Sequence, residues 1–239
     1  MGKKTDTSLK VAVLGGSTST PGYFQFASWP ELLYKKMNAN GIEATVVSFA
    51  DVGYTSAQEL LRLERDVLVF KPDVVVSFTG VNDNDIQKKE NSFSLRVQKS
   101  LFNDFNSEKT FFGGLADRRR NAETWIDNVQ MMKGICDLHD IRYLPILQPM
   151  IAAKDGKMTL NEKECLLNFY PYDNEHFFIS QKEFIEDVLS LIKDKPFISN
   201  ALHLFDNYDV YIDAVHSNER GNSLISDYVY DLITREERG

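Results

Sequence analysis

Apolar residues along this chain fall into short continuous runs separated by stretches of helical spacing. Lys10-Val-Ala-Val-Leu14 is one run and ends on Gly15-Gly16. Ala44-Thr-Val-Val-Ser-Phe49 is a second, rich in β-branched residues, and Asp73-Val-Val-Val-Ser-Phe78 is a third. Runs of this length with little polar interruption mark strands buried on both faces, as in a parallel sheet. Tyr143-Leu-Pro-Ile-Leu147, closed by Gln148-Pro149, reads as a fourth strand, although Pro145 lacks the N–H that a central strand uses. Val210-Tyr-Ile212 reads as a short strand or an extended segment.

The intervening segments carry helix signals. Ser28 can cap a helix from Trp29 to Asn40, with Pro30 in its first turn and Gly41 at its end. Ser56-Ala-Gln-Glu59 has the pattern of a capping box opening a helix to about Val69, which Lys71-Pro72 ends. Trp125, Ile126, Val129, Met132 and Ile135 give helical spacing to the stretch from Thr124 to Asp140. Ser180-Gln-Lys-Glu183 reads as another capping box, before a helix to about Lys193, and Asn222 to Arg235 is the closing helix. Strands alternating with helices predict a parallel sheet covered on both faces, with sites at the carboxyl ends of its strands. Residues 84–122 fit no element. This polar stretch carries Phe93, Phe102, Phe105, Phe111 and Phe112, and leaves the sheet where Asn82 ends a strand. It is expected to be an insertion that forms a lid or wall beside Ser17, or a contact between subunits. At 239 residues and 43% hydrophobic content the chain suits one domain, 1–239, around that insertion.

Thirty-five acidic against 27 basic residues give a net charge of −8, which argues against a nucleic-acid partner. The basic cluster Arg118-Arg119-Arg120 reads as a solvated loop. Cys136 and Cys165 form neither a disulfide framework nor a zinc pattern, and Cys136 sits in an apolar helical stretch as a small buried hydrophobe. No apolar run approaches the ~20 residues of a membrane span. The charged N-terminus has no following apolar region of a leader peptide, so the sequence as it stands reads as soluble and cytoplasmic, or exported if a leader has been removed from it. Self-association is left open.

Four short pieces carry candidate chemistry. Ser17 follows Gly15-Gly16 at a strand end, where a turn exposes a hydroxyl beside free backbone N–H groups; a serine acts as nucleophile only with a base at hand. Read alone, Ser17-Thr-Ser-Thr-Pro-Gly22 also suits a helix cap or a cradle for a flavin phosphate. His216 follows Asp213 by three residues, close enough for the carboxylate to hold one ring nitrogen, though a histidine in a turn is equally ordinary. Asn82, in Gly80-Val-Asn-Asp83, can donate a side-chain amide to an oxyanion, and Gly53 a backbone N–H; both segments also suit plain turns. His139, His176 and His203 have no metal-ligand partner at standard spacing.

In this order the four pieces resemble the SGNH, or GDSL-type, esterase and acyltransferase family. Its pattern runs G-D-S, a glycine, G-x-N-D and D-x-x-H. Here Gly15-Gly16-Ser17, Gly53, Gly80-Val-Asn82-Asp83 and Asp213-Ala-Val-His216 match it, with Gly16 in place of the aspartate, a change expected to alter how the turn is held. The resemblance covers nearly the whole chain and implies a three-layer α/β/α sandwich with a parallel, flavodoxin-like sheet. It implies a serine ester hydrolase in which Ser17 attacks, His216 moves the proton and Asp213 orients His216. Ser17 N–H, Gly53 N–H and Asn82 would hold the oxyanion, with no cofactor or metal. The expected substrate is a small-molecule ester or an acylated carbohydrate. An O-acyltransferase using the same site, a flavin-binding protein on a similar fold and a catalytically silent binding module are the rivals.

Overall fold

The computed structural model of the protein describes residues 8–85, 118–154, 156–169 and 174–235. Strand β1 (Leu9–Gly15) lies between β2 (Ala44–Ser48) and β3 (Val74–Thr79), followed by β4 (Arg142–Leu147) and a two-residue β5 (Ser199–Asn200). The order is β2-β1-β3-β4-β5 and every pairing is parallel. The helices are α1 (Trp29–Ala39), α2 (Ser56–Arg62), α3 (Arg118–Leu138), α4 (Leu160–Phe169), α5 (Asn174–Ile192) and α6 (Glu219–Arg235). Helix α2 runs on through a π turn (Leu63–Val67) and a last helical turn (Leu68–Phe70). Lys71, with φ of 54°, then turns the chain into the left-handed region ahead of Pro72.

Alternation along the strands divides the core into two layers. Val11, Val13, Val74, Val76, Phe78 and Ile146 pack with Trp29, Leu33 and Met37 of α1 and Ile225, Val229 and Ile233 of α6. Ala12, Leu14, Val75, Tyr143 and Leu147 pack on the opposite face with Leu63 and Val67, with Trp125, Val129 and Met132 of α3, and with Phe184 and Val188 of α5. Both faces are covered, so no polar alternation interrupts the strands. Each such side chain taken wholly from water contributes about 1.5–3 kcal/mol. Pro145 is accommodated because β5 pairs only with Ile146 and Leu147, so β4 lacks a second partner at the proline.

Several expectations are corrected. The cap of α2 is shifted by one residue: Thr55 and Gln58 form the capping box, with Gln58 Oε1 accepting from Thr55 N–H at 2.8 Å, which leaves Ser56 and Glu59 to bond elsewhere. Ser180 does not begin a helix. It lies inside α5, and its hydroxyl donates to Asn84 O at 3.3 Å. The three arginines lie in helix α3 rather than in a loop. Of the two readings of Val210–Ile212, the extended segment holds: among the described residues it joins no sheet, and Tyr211 makes one antiparallel bridge to Ser217. Cys136 is buried, as expected. The insertion expected at 84–122 falls, from residue 86 to 117, outside the described residues. Among the described residues no helix is long and apolar enough to cross a membrane.

A buried ion pair ties the 3-10 turn at Ile151–Lys154 to α4 and to the segment that carries Tyr208. Lys154 Nζ donates to both Glu162 carboxylate oxygens at 2.6 and 2.7 Å and to Tyr208 O at 2.6 Å. Both side chains are almost wholly buried, and Glu162 also accepts from Thr159 N–H at 3.1 Å. A buried charge is tolerated only when its partner and hydrogen bonds are complete. Lys154→Met should therefore lower the urea unfolding free energy by about 3–5 kcal/mol, because it strands the Glu162 carboxylate. Adding Glu162→Leu should recover part of that loss. A loss in the single variant no larger than at an exposed pair would show that the charge is not stranded.

Candidate active site

Ser17 stands where β1 gives out. Gly15 has a φ of 152°, and a side chain there would come within 2.7 Å of Ser19 Oγ and 2.8 Å of Phe78 O, so only glycine serves. The chain then makes a 3-10 turn over Ser17–Ser19, closed by Ser19 N–H to Gly16 O at 3.0 Å. Ser19 Oγ accepts from Trp29 Nε1 at 3.1 Å, and Ser48 Oγ donates to Ser19 O at 2.9 Å. Thr20 Oγ1 donates to Gly16 O at 3.1 Å. The hydroxyls of Ser19 and Thr20 thus have protein partners, while that of Thr18 is buried with none among the described residues.

The partner of Ser17 comes from the other end of the chain. Ile212 N–H donates to His216 O at 2.9 Å and Asn218 N–H to Val210 O at 2.8 Å, folding residues 210–218 into a narrow loop. Within it, Asp213 Oδ1 accepts from the N–H groups of Val215 and His216, both at 2.7 Å. Asp213 Oδ2 lies 2.7 Å from His216 Nδ1, and His216 Nε2 lies 2.7 Å from Ser17 Oγ. The carboxylate is thus held by backbone on one oxygen and aims the other at the ring. Such a chain can draw the serine proton toward the imidazole and steady the positive charge that results. Ser17 is 8% exposed and His216 7%, so both are shielded but reachable.

Asn82 is brought to the same turn. Its Nδ2 donates to Tyr54 O at 2.9 Å, which leaves its second N–H for another acceptor. A Cβ on Gly16 would overlap that amide and crowd Tyr54 O. Glycine in place of the expected aspartate therefore has a packing reason: it leaves room for Asn82 beside Ser17. Gly53, with φ of 75°, sits in a turn closed by Tyr54 N–H to Asp51 O at 3.2 Å, one residue from the carbonyl that holds Asn82.

Behind Asn82 lies a buried acidic network that the sequence patterns did not reveal. The Asp83 carboxylate accepts from Ser56 N–H at 3.1 and 3.2 Å and from the Ser56 hydroxyl, which in turn accepts from Asn128 Nδ2 at 2.9 Å. Ser77 Oγ donates to Glu59 Oε2, and the other Glu59 oxygen has no hydrogen-bond partner among the described residues. Burial pushes both carboxyls up to about 7; the hydrogen bonds from Ser77 and Ser56 oppose the shift, and the nearby Asp83 adds to it at Glu59. Tyr23, Phe24 and Phe26 were missed as well. The rings of Tyr23 and Phe24 lie 5.2 and 5.1 Å from the His216 ring, and Phe24 stacks on Phe26 at 5.2 Å. Among the described residues no group of three metal-ligating side chains occurs.

The model of the GDSL-like Lipase/Acylhydrolase family matches residues 11–229 of this chain. No curated protein matches it in sequence. Solved structures are similar in fold at low identity. The acetyl xylan esterase AlAXEase is 19% identical with a TM-score of 0.52, over 94% of this chain and 100% of that one. The psychrotrophic esterase EstA from Pseudoalteromonas sp., inhibited by monoethylphosphonate, is 18% identical with a TM-score of 0.54, over 98% and 100%. A mutant of Axe2, an acetyl-xylooligosaccharide esterase from Geobacillus stearothermophilus, is 13% identical with a TM-score of 0.59, over 95% and 94%.

The raised carboxyls set a pH dependence of stability. Between its ordinary value of 4.5 and about 7, Glu59 keeps its proton in the fold and loses it in the unfolded chain. The folded state then binds more protons, so stability falls as pH rises through that window and levels off above it. Unfolding free energy measured in urea should therefore drop between pH 5 and pH 8, and drop less in Glu59→Gln. Equal drops in the two proteins would mean that Glu59 is ionised in the fold throughout.

Proposed function

The chain belongs to the GDSL-like Lipase/Acylhydrolase family and is a serine ester hydrolase, and on that premise we propose that Ser17, His216 and Asp213 are its catalytic triad. The observation that carries this reading is the unbroken relay from Asp213 Oδ2 through the imidazole to Ser17 Oγ, 2.7 Å at each step. Ser17 Oγ attacks the ester carbonyl carbon as His216 Nε2 takes the hydroxyl proton. The tetrahedral intermediate places its negative charge on the former carbonyl oxygen, held by the N–H groups of Ser17 and Gly53 and by the unengaged N–H of Asn82. His216 returns the proton to the departing alcohol, leaving Ser17 acylated. Water then gives its proton to His216 and its oxygen to the acyl carbon. The carboxylic acid leaves as the Ser17 hydroxyl is restored.

The buried network supports Asn82 in this role. Asp83 ties the end of β3 to the start of α2, and Asn82 is bonded to Tyr54 just ahead of that helix. Donor and acceptor are thus placed before substrate arrives, which is what makes an oxyanion donor effective. We assign the substrate to small-molecule esters or acylated carbohydrates. The esterases AlAXEase and Axe2, named for acetyl xylan and acetyl-xylooligosaccharide, support the carbohydrate class on a shared fold. The matched residues reach from β1 to α6, which supports reading 1–239 as one domain.

Hydrolysis of p-nitrophenyl esters and acetylated sugars tests the assignment. Ser17→Ala and His216→Ala should each abolish most turnover, and the double variant should be little worse than either, because one proton-transfer unit is lost only once. Multiplicative losses would separate the two residues. Asn82→Ala should lose roughly 10²–10³ in kcat, the usual effect of one oxyanion donor. Gly16→Ala should lose rate in the same direction, because its methyl displaces the Asn82 amide. Full turnover in Asn82→Ala would remove that side chain from the oxyanion site.

A further inference from the structure

The loop that carries Asp213 and His216 has no strand to rest on. Among the described residues its neck, at Val210 and Tyr211, joins no sheet, and Val210 O is spent on closing the loop with Asn218 N–H at 2.8 Å. Side chains hold the neck from behind. Lys154 Nζ donates to Tyr208 O at 2.6 Å, and Glu162 Oε1 accepts from Val210 N–H at 3.5 Å. Helix α4 adds two more contacts: Asn161 Nδ2 donates to Asp209 Oδ1 at 3.2 Å, and the Cys165 thiol donates to Tyr211 O at 3.6 Å. Each residue from Tyr208 to Tyr211 is thus met by Lys154 or by α4. Lys154 closes the 3-10 turn that follows β4. Glu162 is locked into the start of α4, where Thr159 N–H donates to its carboxylate and its own N–H donates to Thr159 Oγ1, both at 3.1 Å.

We propose that Lys154 and Glu162 are positioning residues for the reaction: they set the height of the 210–218 loop so that His216 Nε2 meets Ser17 Oγ. The inference rests on the reading of Ser17, His216 and Asp213 as the triad. Stability alone does not account for the pair. Apolar residues of similar volume fill the place of a buried ion pair at little cost, and often at a gain. They cannot hold a carbonyl and an N–H two residues apart. All three Nζ–H groups of Lys154 are spent, two on Glu162 and one on Tyr208 O, so the ammonium has one position and the Tyr208 carbonyl has one position relative to it. Hydrogen bonds fix that position to a few tenths of an ångström, where apolar packing would allow sliding. The reference point is the sheet itself. Strands β1 and β4 flank β3 and run parallel, so the turn that carries Lys154 leaves the same edge on which β1 presents Ser17. The pair therefore measures the histidine loop against the scaffold that holds the serine.

The test uses the full chain and measures kcat and KM on p-nitrophenyl acetate beside urea unfolding. Lys154→Met should lower kcat roughly ten- to hundredfold, the cost of displacing a catalytic group by up to about 1 Å, and leave KM near the wild-type value. The decisive variant is Lys154→Met with Glu162→Leu. It regains stability but offers nothing to Tyr208 O or Val210 N–H, so its kcat should stay low. This variant carries the comparison even where the single one is too unstable to assay. In a His216→Ala background Lys154→Met should cost no further activity, because an absent imidazole cannot be misplaced. Three results each overturn the positioning role and leave the triad standing: a kcat that recovers together with stability in the double variant, a KM that rises while kcat holds, or an equal kcat loss from Lys154→Met with and without His216. Full turnover in Ser17→Ala overturns the triad and the positioning role with it.

Discussion

The contact between His216 Nε2 and Ser17 Oγ joins residues 199 positions apart, and the rest of the structure is arranged so that it can form. Hydrogen bonds tolerate errors of only a few tenths of an ångström, so both ends must be fixed independently. Ser17 is fixed by the end of β1 and by the anchoring of Ser19 to Trp29 and Ser48. His216 is fixed by Asp213, which spends one carboxylate oxygen on two backbone N–H groups before offering the other to the ring. The loop that carries them leaves Tyr208, whose carbonyl is held by the buried Lys154. A shift in either anchor would separate serine from histidine.

Buried polar groups recur wherever a loop must be held rather than merely covered. The Lys154–Glu162 pair, Asp83 on Ser56 and Glu59 on Ser77 each connect segments that apolar packing alone would leave free to slide. Hydrophobic contact is nondirectional, whereas a buried carboxylate with a few donors accepts only one geometry. The sheet supplies cohesion through its valines, and these networks supply register at its carboxyl ends. That division explains why the chain carries nearly wholly buried Lys154, Glu59, Glu162 and Asp83 despite the cost of removing charge from water.

The site and its fold carry different kinds of information. Structures below 20% identity share the layered sheet, and their likeness speaks to the scaffold. The aromatic cover over His216 belongs to the side chains of this protein, set on that scaffold at the strand ends where such folds place their ligands.

The sequence by itself determined four of the five strands and the parallel arrangement, because those signals are local; Ser17, Asn82, Asp213 and His216 were each ordinary read alone, and only their order along the chain, resembling the SGNH pattern, singled them out. Short β-branched apolar runs alternating with capped helical stretches favour buried parallel strands, and Asp213 reaches His216 within one turn. Gly15 and Gly80 announced the strand ends by the conformations that only glycine adopts easily. Tertiary structure decided what depends on partners distant in sequence. Ser56-Ala-Gln-Glu59 and Thr55-Ser-Ala-Gln58 are nearly equal as caps, and the second won because Ser56 and Glu59 are drawn to Asp83 and Ser77. Ser180 looked like a helix start, but α5 extends past it and turns its hydroxyl to Asn84. Glu59, Lys154 and Gln148 are ordinary surface residues until the fold buries them, and Phe24 is an ordinary aromatic until a histidine from the far end of the chain arrives beneath it. Burial and long-range contact are properties of the packed chain, and no local pattern of residues encodes them.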